Sequence, residues 1–283
     1  MEQKKKMASI LLEALPYMQQ FNGKTMVIKF GGNAMETDEL KLSVMKDIAL
    51  LQSIGVKVVL VHGGGPAISG MLEKLGIENE FIDGLRVTND ETIDVVKAML
   101  TGKVNKDLVV DLDRTGAKAI GLSGIDGKMV VAAQKDVRLG YVGDITHINT
   151  EAIEMALDKG YIPVIAPLGV DADGQTYNIN ADTAAVEIAA ALNAEKFILL
   201  SNIPGVMLDV NDPESMISEM TIERAKELIE DGVINGGMIP KIQAGITAMK
   251  WGLNSMTIID GRIDHSLIIE LFSVKGIGTL ITK

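Results

Sequence analysis

Lys29 stands two residues before Gly31-Gly32, at the end of the apolar run Met26-Val-Ile-Lys-Phe30. A second apolar run, Val58-Val-Leu-Val-His62, ends in Gly63-Gly-Gly65. Bare backbone N–H groups at a strand-to-helix turn, beside a fixed cation, form a socket for phosphate oxygens. A lysine within an apolar strand is unusual unless it reaches the strand end or a partner. The glycines directly after Lys29 favour a ligand over a lysine snorkelling at a sheet edge, because ligands of open α/β sheets bind beyond the carboxyl ends of the strands. A tight turn rarely needs three glycines, whereas close approach of backbone to a ligand does, and Pro66 is set to open a helix after them. Neither turn reads G-x-x-x-x-G-K-[ST] or G-x-G-x-x-G, the two common nucleotide motifs. The chemistry indicated is phosphoryl transfer of a different design.

Other residues extend the socket. His62, directly before the glycines, reads as a satisfied structural histidine rather than a general base. Arg86, in Asp83-Gly-Leu-Arg-Val-Thr88, suits either a surface ion pair or a bidentate grip on a carboxylate. Asn178, Asn180 and Asp182 lie where an extended segment enters a helix. One of them is expected to cap that helix, and alternate positions can also point together into a cleft. Gly236-Gly-Met-Ile-Pro-Lys241 opens a helix with a lysine in its first turns. A cation there opposes the macrodipole, so an anionic ligand explains it better. Asp182 is placed to orient both lysines by charge pairing. Positioning and charge stabilisation carry most of phosphoryl-transfer catalysis. No convincing general base accompanies these groups, and a carboxylate nucleophile needs none, being ionised at neutral pH with a reference pKa of about 4. The pattern favours a kinase that makes an acyl phosphate.

These residues need a scaffold, and from Lys24 the chain alternates strand and helix. Strands are expected at 25–30, 57–62, 162–166, 196–200, 256–259 and 279–282, with glycine-rich, β-branched strands or hairpins over about 117–145. Helices are expected near 38–54, 66–75, 90–101, 104–115, 150–159, 221–230 and 237–252, with an alanine-rich helix after Asp182. Near-continuous apolar strands between helices imply a mostly parallel sheet covered on both faces, an α/β/α unit with two lobes meeting near residue 175. Ahead of it, Ile10, Leu11, Ala14, Leu15 and Met18 form a helical stripe with Pro16 expected to kink it. The stripe precedes the first strand, which favours a partner-binding helix over one folded back on its own core.

The 283 residues carry a formal net charge of −11, with 47% hydrophobic and 23% charged residues. That balance is globular and argues against a nucleic-acid surface, which needs a basic footprint. There is no cysteine, which excludes disulfides, thiolate metal sites and thiol nucleophiles and suits a reducing compartment. Lys4-Lys-Lys6 and the apolar residues after it only imitate a signal peptide, since Glu13 and Pro16 interrupt the segment. No apolar run approaches the ~20 residues that span a bilayer. A cytoplasmic location without membrane or nucleic-acid partners is expected.

Together, K-F-G-G-N-A, H-G-G-G-P, D-G-L-R-V-T, N-I-N-A-D and G-G-M-I-P-K resemble the ordered motifs of the amino-acid kinase superfamily, and within it the N-acetylglutamate kinase family, from about Lys24 onward. The resemblance implies the amino-acid kinase (carbamate kinase-like) fold, a three-layer α/β/α sandwich around a mostly parallel sheet. It also implies transfer of the ATP γ-phosphoryl group to the side-chain carboxylate of N-acetyl-L-glutamate, in arginine biosynthesis, with Mg²⁺ bound mainly through the nucleotide. On this resemblance the catalytic residues fall on Lys29, Lys241 and Asp182, and substrate binding on Gly64, Gly65, Arg86, Asn178 and Asn180. Phosphate and ATP contacts fall on Gly31, Gly32, Gly63, Ser201, Asn202, Gly205 and Val206. Many relatives have Thr-Asp where this chain has Ser201-Asn202, which removes a carboxylate from the nucleotide region.

The resemblance further implies an oligomerisation helix at 1–23, an acyl amino-acid-binding and dimerisation lobe at 24–175, and an ATP-binding lobe at 176–283. The first helix resembles the one that interlaces three dimers into a hexamer in arginine-inhibited members. Glu270–Thr279 resembles their arginine-site segment, with Tyr17, Lys196, Glu270 and Gly276 as its contacts, although Thr257 stands where those enzymes often carry histidine. Three alternatives remain at this level. A kinase of glutamate, carbamate or another small acid shares the motifs. A non-catalytic arginine sensor is opposed by the retention of Lys29, Asp182 and Lys241. A nicotinamide dehydrogenase lacks G-x-G-x-x-G with a ribose-binding acid ~20 residues on.

Overall fold

The computed structural model describes residues 1–32, 37–209 and 211–283, so Asn33 and Ala34 of the first glycine motif lie outside the described residues. Eight strands form the central sheet: β1 (Thr25–Phe30), β2 (Lys57–His62), β3 (Ala119–Ser123), β4 (Ile162–Ala166), β5 (Lys196–Ser201), β6 (Glu219–Thr221), β7 (Ser255–Asp260) and β8 (Thr279–Thr282). Their spatial order is β6-β8-β7-β5-β1-β2-β4-β3. Adjacent strands are parallel except β7 with β8, which run antiparallel.

The helices are α1 (Glu2–Phe21), α2 (Asp38–Ser53), α3 (Gly65–Leu75), α4 (Asp90–Lys97), α5 (Asn105–Arg114), α6 (Glu151–Asp158), α7 (Ala181–Ala191), α8 (Ile222–Glu230), α9 (Met238–Lys250) and α10 (Ser266–Leu271). Side chains alternate across a strand, so parity assigns each strand residue to one face of the sheet. Val27, Val59, Val61, Phe197 and Leu199 are buried with Ile153, Ala185, Leu228 and Ile242 of α6 to α9. Met26, Ile28, Phe30, Val58, Leu60 and Ile198 are buried on the other face, with Ile48, Leu108 and Leu267 of α2, α5 and α10. The result is the expected three-layer α/β/α sandwich. Parity also puts Lys29 on the α7–α9 face and His62 on the α5 face.

The structure departs from the sequence expectations where distant residues decide local form. The two helices expected near 90–101 and 104–115 are one helical path, joined by a π-helical stretch over Ala98–Val104. Of the strands expected over 117–145, Ala119–Ser123 enters the central sheet. Val130–Gln134 and Gly143–Ile148 instead pair as a hairpin in a second sheet with Leu168–Val170 and Thr176–Asn178. The six-residue α10 carries no sequence signal because its start is held from elsewhere: His265, just before it, donates its N–H to Ser43 Oγ at 2.8 Å, and its Nδ1 lies 2.6 Å from Asp47 Oδ1, both on α2. Burial pushes the Asp47 carboxyl up, against the opposing pull of His265.

Helix α1 starts at Glu2, earlier than residue 8, and is helical through Pro16 to Phe21. Only its C-terminal turn docks, with Tyr17 and Phe21 edge-on to Phe272 at 6.3 and 6.4 Å between ring centroids. Ile10, Leu11 and Leu12 stay exposed. An exposed apolar face therefore projects from the domain.

Gly124 sits where the central sheet meets the second one. Its N–H donates to the Ala166 carbonyl at 3.1 Å, and its own carbonyl accepts from Val130 N–H at 2.7 Å. A Cβ there would stand 1.8 Å from the Leu168 carbonyl oxygen. Gly124→Ala must push backbone apart, and is expected to lower unfolding stability by about 3 kcal/mol. Denaturant midpoints of the two proteins check this, and an unchanged midpoint would refute the close docking.

Candidate active site

Three segments meet beyond the carboxyl ends of β1 and β5. Lys29 projects from the α7–α9 face of β1. Asp182 lies in the first turn of α7, whose N-cap is Asn180, its side chain accepting from the N–H groups of Asp182 and Thr183 at 3.0 Å each. Lys241 lies in the first turn of α9. Asp182 holds both ammonium groups: Oδ1 is 2.9 Å from Lys29 Nζ, and Oδ2 accepts from Lys241 Nζ. Burial works to raise the Asp182 carboxyl, but Lys29 and Lys241 outweigh it and hold its pKa below the ordinary value. The structure thus brings together all three residues named as a charge cluster from sequence.

Both glycine turns close over Lys29. A Cβ on Gly31 would meet Lys29 Nζ at 3.2 Å and Gly63 N at 3.2 Å, so a side chain there would crowd the ammonium and the second turn together. Gly63 N–H donates to the Phe30 carbonyl at 2.8 Å, which locks the second turn to the end of β1. Gly64 caps α3, and Pro66 sits in its first turn as expected. A cavity of about 370 Å³ adjoins this cluster, walled by Asn180, Asp182, Thr183, Gly237 and Lys241, and by Lys135 and Asp144 of the second-sheet hairpin. Lys135 and Asp144 pair at 2.6 Å. They carried no sequence signal, since only the hairpin brings them to the cavity.

The remaining expected contacts sit around that centre. Arg86 is buried and donates to Gly65 O at 3.1 Å, Ser69 Oγ at 2.9 Å and Asn79 Oδ1. Its guanidinium lies over the Phe81 ring at 4.7 Å. Among the described residues it pairs with no acid; Gly65 and Ser69 tie it to the start of α3. Asn178 donates to Thr88 Oγ1 at 3.2 Å, joining the D-G-L-R-V-T and N-I-N-A-D segments. Of the three alternating polar residues, Asn180 and Asp182 face the cavity and Asn178 faces Thr88.

Ser201 ends β5 opposite Asp260. Beyond it, a Cβ on Gly205 would meet Thr279 Oγ1 at 2.5 Å, and Val206 N–H donates to the same hydroxyl at 2.8 Å. These residues share the sheet edge that carries Lys29.

A further cluster involves β5, β7 and the segment after α10. Glu270 accepts from Ile277 and Gly278 N–H at 2.8 and 3.1 Å, and Lys196 donates to Thr257 Oγ1 at 3.2 Å. A Cβ on Gly276 would meet Glu270 Oε2 at 2.4 Å. Burial lowers the Lys196 pKa, and Glu270 is among the charges opposing that shift.

A parallel sheet with paired cationic and glycine groups at its carboxyl edge defines a small-molecule phosphotransferase of the α/β/α type. The sequence profile of the amino acid kinase family matches residues 24–260, and the chain belongs to that family. Within it, the chain groups with the acetylglutamate kinases. The acetylglutamate kinase of Caldanaerobacter subterraneus subsp. tengcongensis is 53% identical over 279 residues, covering 98% of this chain and 93% of that one. Among solved structures, N-acetylglutamate synthase from Neisseria gonorrhoeae, complexed with coenzyme A and N-acetyl-glutamate, superposes with a TM-score of 0.83 at 27% identity. The match covers 98% of this chain but only 63% of the synthase. Carbamate kinase from Giardia lamblia, at 19% identity and a TM-score of 0.68 over 92% of this chain and 99% of that one, shares the fold.

His62 behaves as a structural histidine. It is fully buried, and burial lowers its pKa from 6.5 to about 4, with Lys106 adding to the shift and the Gly63 carbonyl opposing it. Unfolded chains take up the proton near 6.5 and the folded protein only near 4. The stability this neutral ring contributes is therefore complete above pH 6.5 and lost as pH falls towards 4. The loss amounts to about 3 kcal/mol relative to the non-titrating His62→Asn. Urea denaturation of both proteins across that range tests it; parallel curves would refute it.

Proposed function

We infer that this chain transfers the γ-phosphoryl group of ATP to the side-chain carboxylate of N-acetyl-L-glutamate, a step of arginine biosynthesis. The observation that carries the reading is Asp182 spanning Lys29 and Lys241 beneath two glycine turns. In the reaction a carboxylate oxygen forms a bond to the γ-phosphorus while the bond to the ADP oxygen breaks. No proton has to be removed, in keeping with a cluster that contains ammonium groups but no free base.

Lys29 and Lys241 neutralise charge on the phosphoryl group in transit, and Asp182 holds both in place. Gly31 and Gly32 offer backbone N–H groups to its oxygens, and Gly63, whose own N–H is held by the Phe30 carbonyl, lines the phosphate site beside them. Gly64, Gly65, Asn178 and Asn180 surround the acyl amino acid, with Arg86 organising the start of α3. Residues 24–175 supply this acyl-substrate lobe, and 176–283 the nucleotide lobe, with ATP at Ser201, Asn202, Gly205 and Val206. Both Asp182 oxygens are already engaged by ammonium groups, and among the described residues no cluster of three His, Asp or Glu could hold a metal. Mg²⁺ would therefore be held through ATP phosphate oxygens and neutralise their charge when bound.

The exposed stripe of α1 supports assembly into a hexamer as a trimer of dimers. The Tyr17, Lys196, Glu270 and Gly276 region supports binding of arginine as a feedback inhibitor. No helix among the described residues is long and apolar enough to cross a membrane, and a cytoplasmic location fits a cysteine-free enzyme.

A coupled ADP-release assay with N-acetylglutamate, glutamate and carbamate tests the substrate, with the acetylated acid expected to be preferred. In that assay Lys29→Ala or Lys241→Ala is expected to lower kcat by roughly 10²–10³. Arg86→Ala is expected mainly to raise KM for the acyl amino acid. Near-normal kcat in Lys241→Ala would overturn the catalytic assignment. For arginine, millimolar additions are expected to shift the saturation curve and the thermal midpoint; no change in either would dismiss the effector.

A further inference from the structure

His62 takes no part in the transfer described above, yet it directly precedes the second glycine turn and is fully buried. Its Nδ1 lies 2.9 Å from the Gly63 carbonyl oxygen. That oxygen can only accept, so Nδ1 carries the ring hydrogen and Nε2 keeps a lone pair. Nε2 faces the side-chain amide nitrogen of Asn105 at 3.2 Å, which can only donate. Asn105 is itself buried at the first position of α5. The two hydrogens of that amide are shared among Nε2, Val164 O at 2.7 Å and Leu122 O at 3.1 Å, the last two on β4 and β3. Lys106 Nζ lies 3.1 Å from its Oδ1. These acceptors and this donor fix which way the amide points, and with it the tautomer of His62.

The carbonyl of Gly63 and the N–H of Gly64 belong to one planar trans peptide and point in opposite directions. Holding the oxygen against the imidazole turns the Gly64 N–H away from it. The turn is confined on another side as well: a Cβ on Gly64 would come within 2.5 Å of Leu100 Cδ2, in the π-helical stretch. Such local widenings of a helix often accompany functional sites. A rotated peptide would instead aim a carbonyl oxygen at anionic ligand oxygens, replacing attraction with repulsion.

We propose that His62, oriented by Asn105, is a positioning residue that sets the Gly63–Gly64 peptide plane so that the Gly64 N–H is presented to the anionic ligand in the cleft. The proposal rests on the kinase reading above. Its test compares two variants of similar polarity. In His62→Asn the amide nitrogen superposes on Nδ1 and can still donate to Gly63 O. In His62→Gln it lies near Nε2 and cannot.

His62→Asn is expected to retain kcat within a few-fold, whereas His62→Gln loses about 10–100-fold in kcat with little change in KM for ATP. Equal losses, equal retention or the reverse order would overturn the proposal. A second measurement needs no variant. ¹⁵N shifts of the His62 ring in the wild-type protein are expected to report an unchanging Nδ1–H tautomer between about pH 5 and 8. An Nε2–H tautomer overturns the proposal whatever the variants do. Wild-type turnover of N-acetylglutamate is the control: its absence sinks the kinase reading, while an active wild type with equivalent variants sinks only the role of His62.

Discussion

One carboxylate spanning two ammonium groups is the contact on which the site depends. Lys29, Asp182 and Lys241 are far apart in the chain, and two like charges gather at one point only where an opposite charge sits between them. The parallel sheet makes this possible. It brings the end of β1 beside the end of β5, and the starts of α7 and α9 lie over the same face. Helix starts carry a partial positive charge, so this edge is set for anions before any ligand arrives.

The sheet also separates chemistry from support. Lys29 projects to the α7–α9 face, where the cavity lies, while His62 projects to the α5 face and is sealed in the opposite core. The two glycine turns lie at the boundary between these layers. Gly31 must lack a side chain because Lys29 Nζ and Gly63 N both crowd its open face. Gly64 must lack one because Leu100 stands behind it. Backbone is the common material of the two turns, and in the second the Gly63 carbonyl meets His62 from the α5 layer.

Strand parity, the glycine turns and an N-cap from one of Asn178, Asn180 and Asp182 were legible in the chain because each rests on neighbours within a few residues. The same locality explains what was not legible. Nothing near Ala98 announces a π-helical join, which arises where α4 and α5 pack against the glycine turn and the sheet. Helix α10 is six residues long, and its lead-in residue His265 is held by Ser43 and Asp47, which lie 222 and 218 positions earlier. Lys135 and Asp144 reach the cavity only because a hairpin that also reads as central-sheet strand folds into the second sheet.

The residue types and their order are enough to determine the α/β/α class, the sites of the two turns and the charged groups available for phosphoryl transfer. Those follow from periodicity and backbone chemistry, which act over short stretches. Tertiary structure alone decides that Asp182 takes one lysine on each oxygen, that Arg86 faces the start of α3, and that His62 meets Asn105 with its Nδ1–H on Gly63. Each of these depends on the direction of a side chain or a peptide plane. Directions are set by packing among segments that the linear chain keeps far apart.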